Sequence, residues 1–286
     1  MPMTRRLLQL LYAPAMLVGW NAAAIACVAQ GVGLAVLVPL LLLAVGTSFA
    51  AERIAPYQQA WNQPRHDGWR DVVHAVVNES LGAAALAAIP LVAAARPWPG
   101  FWPEHWPLAA QWLLAVLAAD AGITFGHWAS HRFALLWRFH AVHHSVERLY
   151  GLNGLMKHPL HQAFEALLGV APLMLAGMPR DVAALLAFAI AVQLLLQHAN
   201  VDMRIGPLRH VLALAPVHRF HHRRHADVGN VNFGLFTTLW DRLLGTAVDD
   251  PQLRFRPGDF GIGDQPRYPR AYLAQLLAPF RRTPPG

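Results

Sequence analysis

Apolar positions run along the first half of the chain in long unbroken blocks rather than in stripes. Residues 7–29 carry no charge, and neither do residues 31–51. About 20 apolar residues suffice for a helix to cross the hydrocarbon of a bilayer. Each block therefore predicts a spanning helix, with Gly31 and Gly33 turning the chain between them. The first block is too long, and too closely followed by the second, for a cleaved signal peptide, although Arg5 and Arg6 precede it. Blocks at 72–95 and 107–126 predict a third and a fourth span. Two shorter blocks, 164–178 and 182–197, are parted by Met178-Pro179-Arg180-Asp181. At 1.5 Å per residue, about 15 residues reach only about 23 Å, so this pair reads as a shallow hairpin. The pattern predicts an all-α, polytopic integral membrane protein with four spanning helices plus a short membrane hairpin, topped by a cytoplasmic helical cap. Three regions follow: an N-terminal transmembrane region 1–110, a cap-bearing region 111–247, and a polar tail 248–286. Within the tail, 268–282 predicts an amphipathic helix lying on the membrane.

Composition agrees with a membrane protein. Hydrophobic residues make up 55% and charged residues 14%, with a mean hydropathy of +0.32, whereas soluble domains carry about 25% charge. The single cysteine, Cys27, excludes a disulfide framework, a cysteine zinc site and an iron–sulfur cluster within the chain. Of the 23 lysines and arginines, all but Arg96 and Arg180 fall on segments that share the N-terminal side of this topology. Positive charge marks the cytoplasmic side, so the N-terminus and the cap are expected there, at the inner membrane if the source is bacterial. The opposite loop, 96–107, is rich in Trp and Pro, as an interfacial belt is. A pI near 10.5 then implies anionic lipid headgroups. Nucleic acid is not expected as a partner, since no recognition element accompanies the charge.

Histidine changes the picture from a membrane protein to a membrane protein with chemistry. Of the 16 histidines, all but His66, His74 and His105 lie between residues 127 and 225. His127 and His131 form His-x-x-x-His. His140, His143 and His144 form His-x-x-His-His, and His218, His221 and His222 repeat it. On a helix, positions i, i+3 and i+4 share a face, so each box is expected to aim its imidazoles at one point. Eight imidazoles exceed what one ion takes, and two metals are the economical reading. Neutral imidazole suits iron, zinc, copper or nickel. His158, His161, His198 and His225 are further ligand candidates, His225 because it continues the third box at i+7. An intramembrane zinc protease would need His-Glu-x-x-His, and Trp128 follows His127. A histidine-rich metal or proton transporter is the alternative, but residues 7–51 lack the polar groups that a path through several spans requires.

The stretch from Asp120 to Thr246 resembles the fatty acid hydroxylase / sterol desaturase superfamily of membrane di-iron oxygenases. The resemblance rests on Asp120, HWASHR, LWRFHAVHHS at 136–145, KHP at 157–159, QHAN at 197–200, PVHRFHH at 216–222, NFG at 232–234 and LWDRLLGT at 239–246. The eight box histidines match the family's metal ligands position by position, and His198 matches a further one. Trp128 stands where the family usually has Arg, and His161 where it often has Glu. The resemblance implies two iron ions, dioxygen as oxidant, and hydroxylation or desaturation of a lipid drawn from the bilayer. Asp120 and Asp241 are candidates to accept the far N–H of a ligating imidazole, and Asn232 of NFG joins them as a polar candidate at the site. No Gly-rich dinucleotide fingerprint is present, so electrons are expected from a separate reductase or carrier. Arg219, Arg223 and Arg224 could dock such a carrier or contact lipid headgroups.

Overall fold

The computed structural model describes residues 3–95 and 98–281; Arg96, one of the two outer-side charges, and the end of the 268–282 segment lie outside them. The described residues are helical, with three isolated β-bridges and no strand. Five helices are long and apolar enough to cross a membrane: α1 (Met3–Ala29), α2 (Leu34–Ile54), α3 (Gly68–Ala95), α4 (Leu108–Arg132) and α8 (Arg180–His198). Between α4 and α8 lie α5 (Ala134–His144), α6 (Pro159–Gly169) and α7 (Ala171–Ala176). Beyond α8 come α9 (Ala215–His218), α10 (Ala226–Gly229), α11 (Leu239–Leu244) and α12 (Tyr272–Leu277).

This corrects the expected count of four spans and a hairpin. The second hairpin arm begins earlier than its apolar run, because Pro179 caps it and Arg180 and Asp181 occupy its first turn. The resulting 19-residue helix α8 is long enough to cross. The first arm is interrupted at Val170, between α6 and α7. Gly31 (φ 72°) and Gly33 (φ 90°) make the turn between α1 and α2, in a backbone region that other residues rarely enter.

Helix α8 is the central post. Fifteen of its residues are buried, from Val182 to His198, and it packs against α1, α2, α4 and the turn at Gly151–Leu155. Spans α2 and α3 are largely exposed, with Val38, Leu42, Leu43, Val72 and Val76 facing outward. In water those faces would be an aggregation hazard; a bilayer solvates them. Helices α4 and α6 approach so closely that a Cβ at Gly122 would lie 2.2 Å from the Leu168 carbonyl oxygen. Gly122→Ala must push α6 off α4 and is expected to cost about 1–3 kcal/mol, read as a lower thermal midpoint in detergent.

The tail departs from the simple surface helix. Helix α12 covers only Tyr272–Leu277. Its Gln275 is fully buried and meets His74 Nε2 at 2.9 Å, while Leu273 and Leu277 face outward. The tail is thus pinned to α3 beside the histidine-bearing cap.

Candidate metal centre

Nine imidazoles converge in two adjacent buried groups. His127, His131, His140, His144 and His221 form one; His143, His198, His218 and His222 form the other. Within each group the nearest ring nitrogens all lie within 4.8 Å of one another. The groups touch: the rings of His144 and His222, one from each, stack at 4.6 Å.

Local geometry explains the division and corrects the expectation that each box aims at one point. His127 and His131 are one turn apart at the C-terminal end of α4, so they stay together. In α5, His140 and His144 share a face, and His143 projects from the neighbouring one into the second group. The third box reverses this: His218 and His222 enter the second group and His221 the first. Two copies of one motif are therefore interleaved, each giving two rings to one group and one ring to the other.

Five of these rings are fixed by a hydrogen bond at the far nitrogen. His127 Nδ1 meets the Phe233 carbonyl at 2.8 Å, His221 Nδ1 that of Val231 at 2.9 Å, and His143 Nδ1 that of Met156 at 2.9 Å. His198 Nδ1 meets the Leu194 carbonyl at 3.1 Å, and His131 Nδ1 meets Asn230 Oδ1 at 2.8 Å. A carbonyl oxygen only accepts, so in these rings Nδ1 carries the hydrogen and a neutral imidazole leaves a bare lone pair on Nε2. Burial, reinforced by neighbouring imidazoles, holds His140, His143, His144, His218, His221 and His222 well below the usual histidine range, so they are neutral at pH 7.

Neutrality makes the arrangement unstable by itself. His127 Nε2 and His221 Nε2 face each other at 2.9 Å, each a lone pair with no proton to share. In the second group, His222 Nε2 lies 3.0 Å from His198 Nε2 and 3.1 Å from His218 Nε2, and a single hydrogen on His222 Nε2 satisfies at most one of these two contacts. Buried acceptors facing acceptors cost free energy, and a cation between them removes the conflict. Metal-ligating histidines also donate their other N–H to a carbonyl or carboxylate, which is the pattern found. The donor sets of five and four imidazoles fit transition metals that accept neutral imidazole.

Three ligand candidates stand outside both groups. His225 is exposed at the N-cap of α10; helix α9 ends at His218 and the chain turns, so the i+7 extrapolation fails. His158 caps α6, accepting from the Leu160 amide at 3.1 Å while its Nε2 meets the Leu276 carbonyl at 3.2 Å, so peptide groups occupy both nitrogens. His161 lies beside the first group, its ring 4.4 Å from that of His140, but its Nε2 is engaged by Ser130 Oγ at 2.9 Å.

The polar candidates act on a loop rather than on histidines. Asp120 accepts from the Phe236 amide at 2.7 Å and from Thr237 Oγ1 at 2.6 Å. Asp241 accepts from the Phe233 and Gly234 amides at 2.7 and 2.8 Å and from Thr246 Oγ1 at 2.7 Å. Gln193 and Gln197 of α8 hold the carbonyls of Gly234 and Leu235 from the other side. Loop 233–237 is thereby clamped, and its first carbonyl orients His127. Asn232, at φ 54°, braces Val217 to Val248 through its amide and makes no hydrogen bond to a histidine among the described residues. Arg219 is buried, donating to the Ala199 and Val201 carbonyls beneath the Tyr57 ring, so only Arg223 and Arg224 of the basic trio reach the surface.

Some participants escaped sequence reasoning. Asn230 orients His131, two residues before the motif that drew attention to Asn232. Lys157 and Glu165 form a buried ion pair of 2.5 Å at the edge of a small pocket bounded by His127, His140, His143 and His218. Lys157 opens the KHP motif, but its pairing with Glu165, eight residues on across the start of α6, carries no sequence signature.

Comparison with known proteins gives this geometry a setting. The fatty acid hydroxylase family model matches residues 112–246. The chain is 35% identical over 240 residues to ornithine lipid hydroxylase OlsE of Rhizobium tropici, covering 81% of this chain and 71% of that protein. It is 26% identical to alkylglycerol monooxygenase of Xenopus tropicalis, over 53% of this chain and 32% of that one. It is also 26% identical to very-long-chain aldehyde decarbonylase GL1-9 of Oryza sativa subsp. indica, over 53% and 60%. No solved structure matches. A membrane-type helical frame, two histidine groups and relatives that include a lipid hydroxylase and a monooxygenase lead to one assignment: the chain belongs to the fatty acid hydroxylase family and is an oxidoreductase acting on lipids.

Proposed function

We propose that the protein is a membrane-bound oxygenase that hydroxylates a lipid with dioxygen and external electrons, using two irons held by the five- and four-imidazole groups. The facing lone pairs of His127 and His221 at 2.9 Å carry this reading, because they call for a cation. Desaturation is the second outcome that the same oxidant supports. When bound, the irons supply the reduction of dioxygen and an oxidant for an unactivated C–H bond, which no side chain provides.

The chain's own residues bind, orient and shield. The carbonyls of Phe233, Val231, Met156 and Leu194, with Asn230, fix five imidazoles in the tautomer that presents Nε2. Asp120 and Asp241 hold the loop behind them. The buried setting excludes water, which protects a reactive oxidant from side reactions. Hydroxylation of R–H by dioxygen gives R–OH and water and consumes two electrons and two protons. A separate reductase or electron carrier delivers the electrons from the cytoplasmic face, where Arg223 and Arg224 offer positive charge to an acidic carrier. The N-terminus and the histidine groups face the cytoplasm, at the inner membrane if the source is bacterial.

Ornithine lipid, the substrate in the name of the Rhizobium relative, is the first lipid to offer. Iron-loaded protein in vesicles, given a reductase and isotopically labelled dioxygen, should place one labelled oxygen in the lipid. Loss of two hydrogens without label would mean desaturation, and an unchanged lipid pool with metal moving across the vesicle wall would favour the transporter.

A further inference from the structure

A second cavity, of about 140 Å3, lies between α3, α4, α6, α7 and α8. Lys157 and Glu165 line it and also line the small pocket at the histidines. The buried ion pair therefore stands where the two spaces meet. Polar groups gather at that end only: Asn78, Glu79 and Gln162 join the ion pair there. Beyond them the walls are apolar, with Gly82, Leu86 and Ile89 on α3 facing Ala183 and Leu186 on α8. From Leu194 back to Ala183 is about 17 Å of helix at 1.5 Å per residue. This is a slot inside the membrane, polar beside the metal groups and apolar away from them.

Charge identifies what the polar end accepts. Lys157 is committed to Glu165 at 2.5 Å. Glu79 lines the same end, within span α3, and makes no hydrogen bond or ion pair among the described residues. With all three groups ionised, that end carries one net negative charge. A carboxylate inside a span is costly and marks function unless it meets a partner. A phosphate or carboxylate head would be repelled there, whereas an ammonium would be the missing partner.

We propose that this cavity binds one apolar chain of a membrane lipid whose amine-bearing, cationic polar end lies against Glu79 beside the histidines. The proposal rests on the lipid-oxygenase reading and adds to it a recognising residue, Glu79, and a direction: oxygen enters near the polar end of the lipid, not at the chain terminus.

The test uses purified, iron-loaded full-length protein in detergent, offered an equal mixture of stearylamine, stearyl alcohol and stearic acid, with bound adducts counted by native mass spectrometry. The parent should retain the amine over the alcohol by about tenfold and over the acid by more, as charge complementarity requires. Glu79→Gln should bring amine and alcohol to parity while both still bind. Gly82→Leu, at a position where an added Cβ meets open space, should lower retention of all three with the melting temperature unchanged. No amine preference in the parent, or a preference that survives Glu79→Gln, overturns the proposal; so does full retention in Gly82→Leu. Binding is read without turnover. Amphiphiles that bind as expected while no lipid is ever oxidised would defeat the oxygenase reading and leave the cavity assignment standing.

Discussion

His221→Ala and His222→Ala, neighbours in sequence, should damage different metals. His221 belongs to the five-imidazole group and His222 to the four-imidazole group. Removing His222 leaves three ligands, and His222 is also the ring that both His198 and His218 approach, at 3.0 and 3.1 Å. Metal content in His222→Ala should fall from about two irons per chain to about one, since structural affinity depends on the full ligand set. Removing His221 leaves four imidazoles, so that group should still hold its ion, more weakly. Turnover should drop by at least about 100-fold in both variants, more than the 10–100-fold typical of losing a residue that only supports a ligand. Iron analysis and activity measured on the same preparations check this. Equal, complete metal loss from both variants would mean that the two groups act as one site.

The interleaving behind that prediction could not be read from spacing. Position i, i+3 and i+4 rules correctly bring three rings to one side of a helix, but the side is broad. His143 and His144 differ by about 100° around α5, enough to reach separate groups once two elements pack face to face. The histidine boxes and the first four spanning helices were legible because each depends on short-range sequence. His225 was not, because the i+7 rule assumes a helix and the chain turns after His218. Span α8 was underestimated because Arg180 and Asp181 read as a break, whereas they form its first turn behind Pro179. The histidines' far nitrogens mostly meet backbone carbonyls, and a carbonyl has no sequence signature at all. Sequence pointed instead to Asp120 and Asp241, which hold loop 233–237 rather than the rings themselves.

Their hold on that loop gives the second large effect, a contrast between two isosteric changes. At position 241, one carboxylate oxygen accepts from the Phe233 amide and Thr246 Oγ1, and the other accepts from the Gly234 amide. Asparagine can replace one oxygen only; its NH2 then confronts another N–H. At position 120, the oxygen that takes the Phe236 amide can be kept, while the second faces the Thr237 hydroxyl, which can turn and accept from an amide. Asp241→Asn should therefore strand a buried donor, at a cost of about 1–3 kcal/mol, and let the Phe233 carbonyl drift from His127. Iron affinity should fall about 10–100-fold, the range expected when a ligand's support is lost. Asp120→Asn should keep iron within about threefold of the parent, because the backbone donors there retain their acceptor and only the half-buried Thr237 hydroxyl must find another. Chelator competition, with thermal midpoints recorded alongside, separates loss of metal from loss of fold. Asp241→Asn protein that holds iron like the parent would show that loop 233–237 does not position His127.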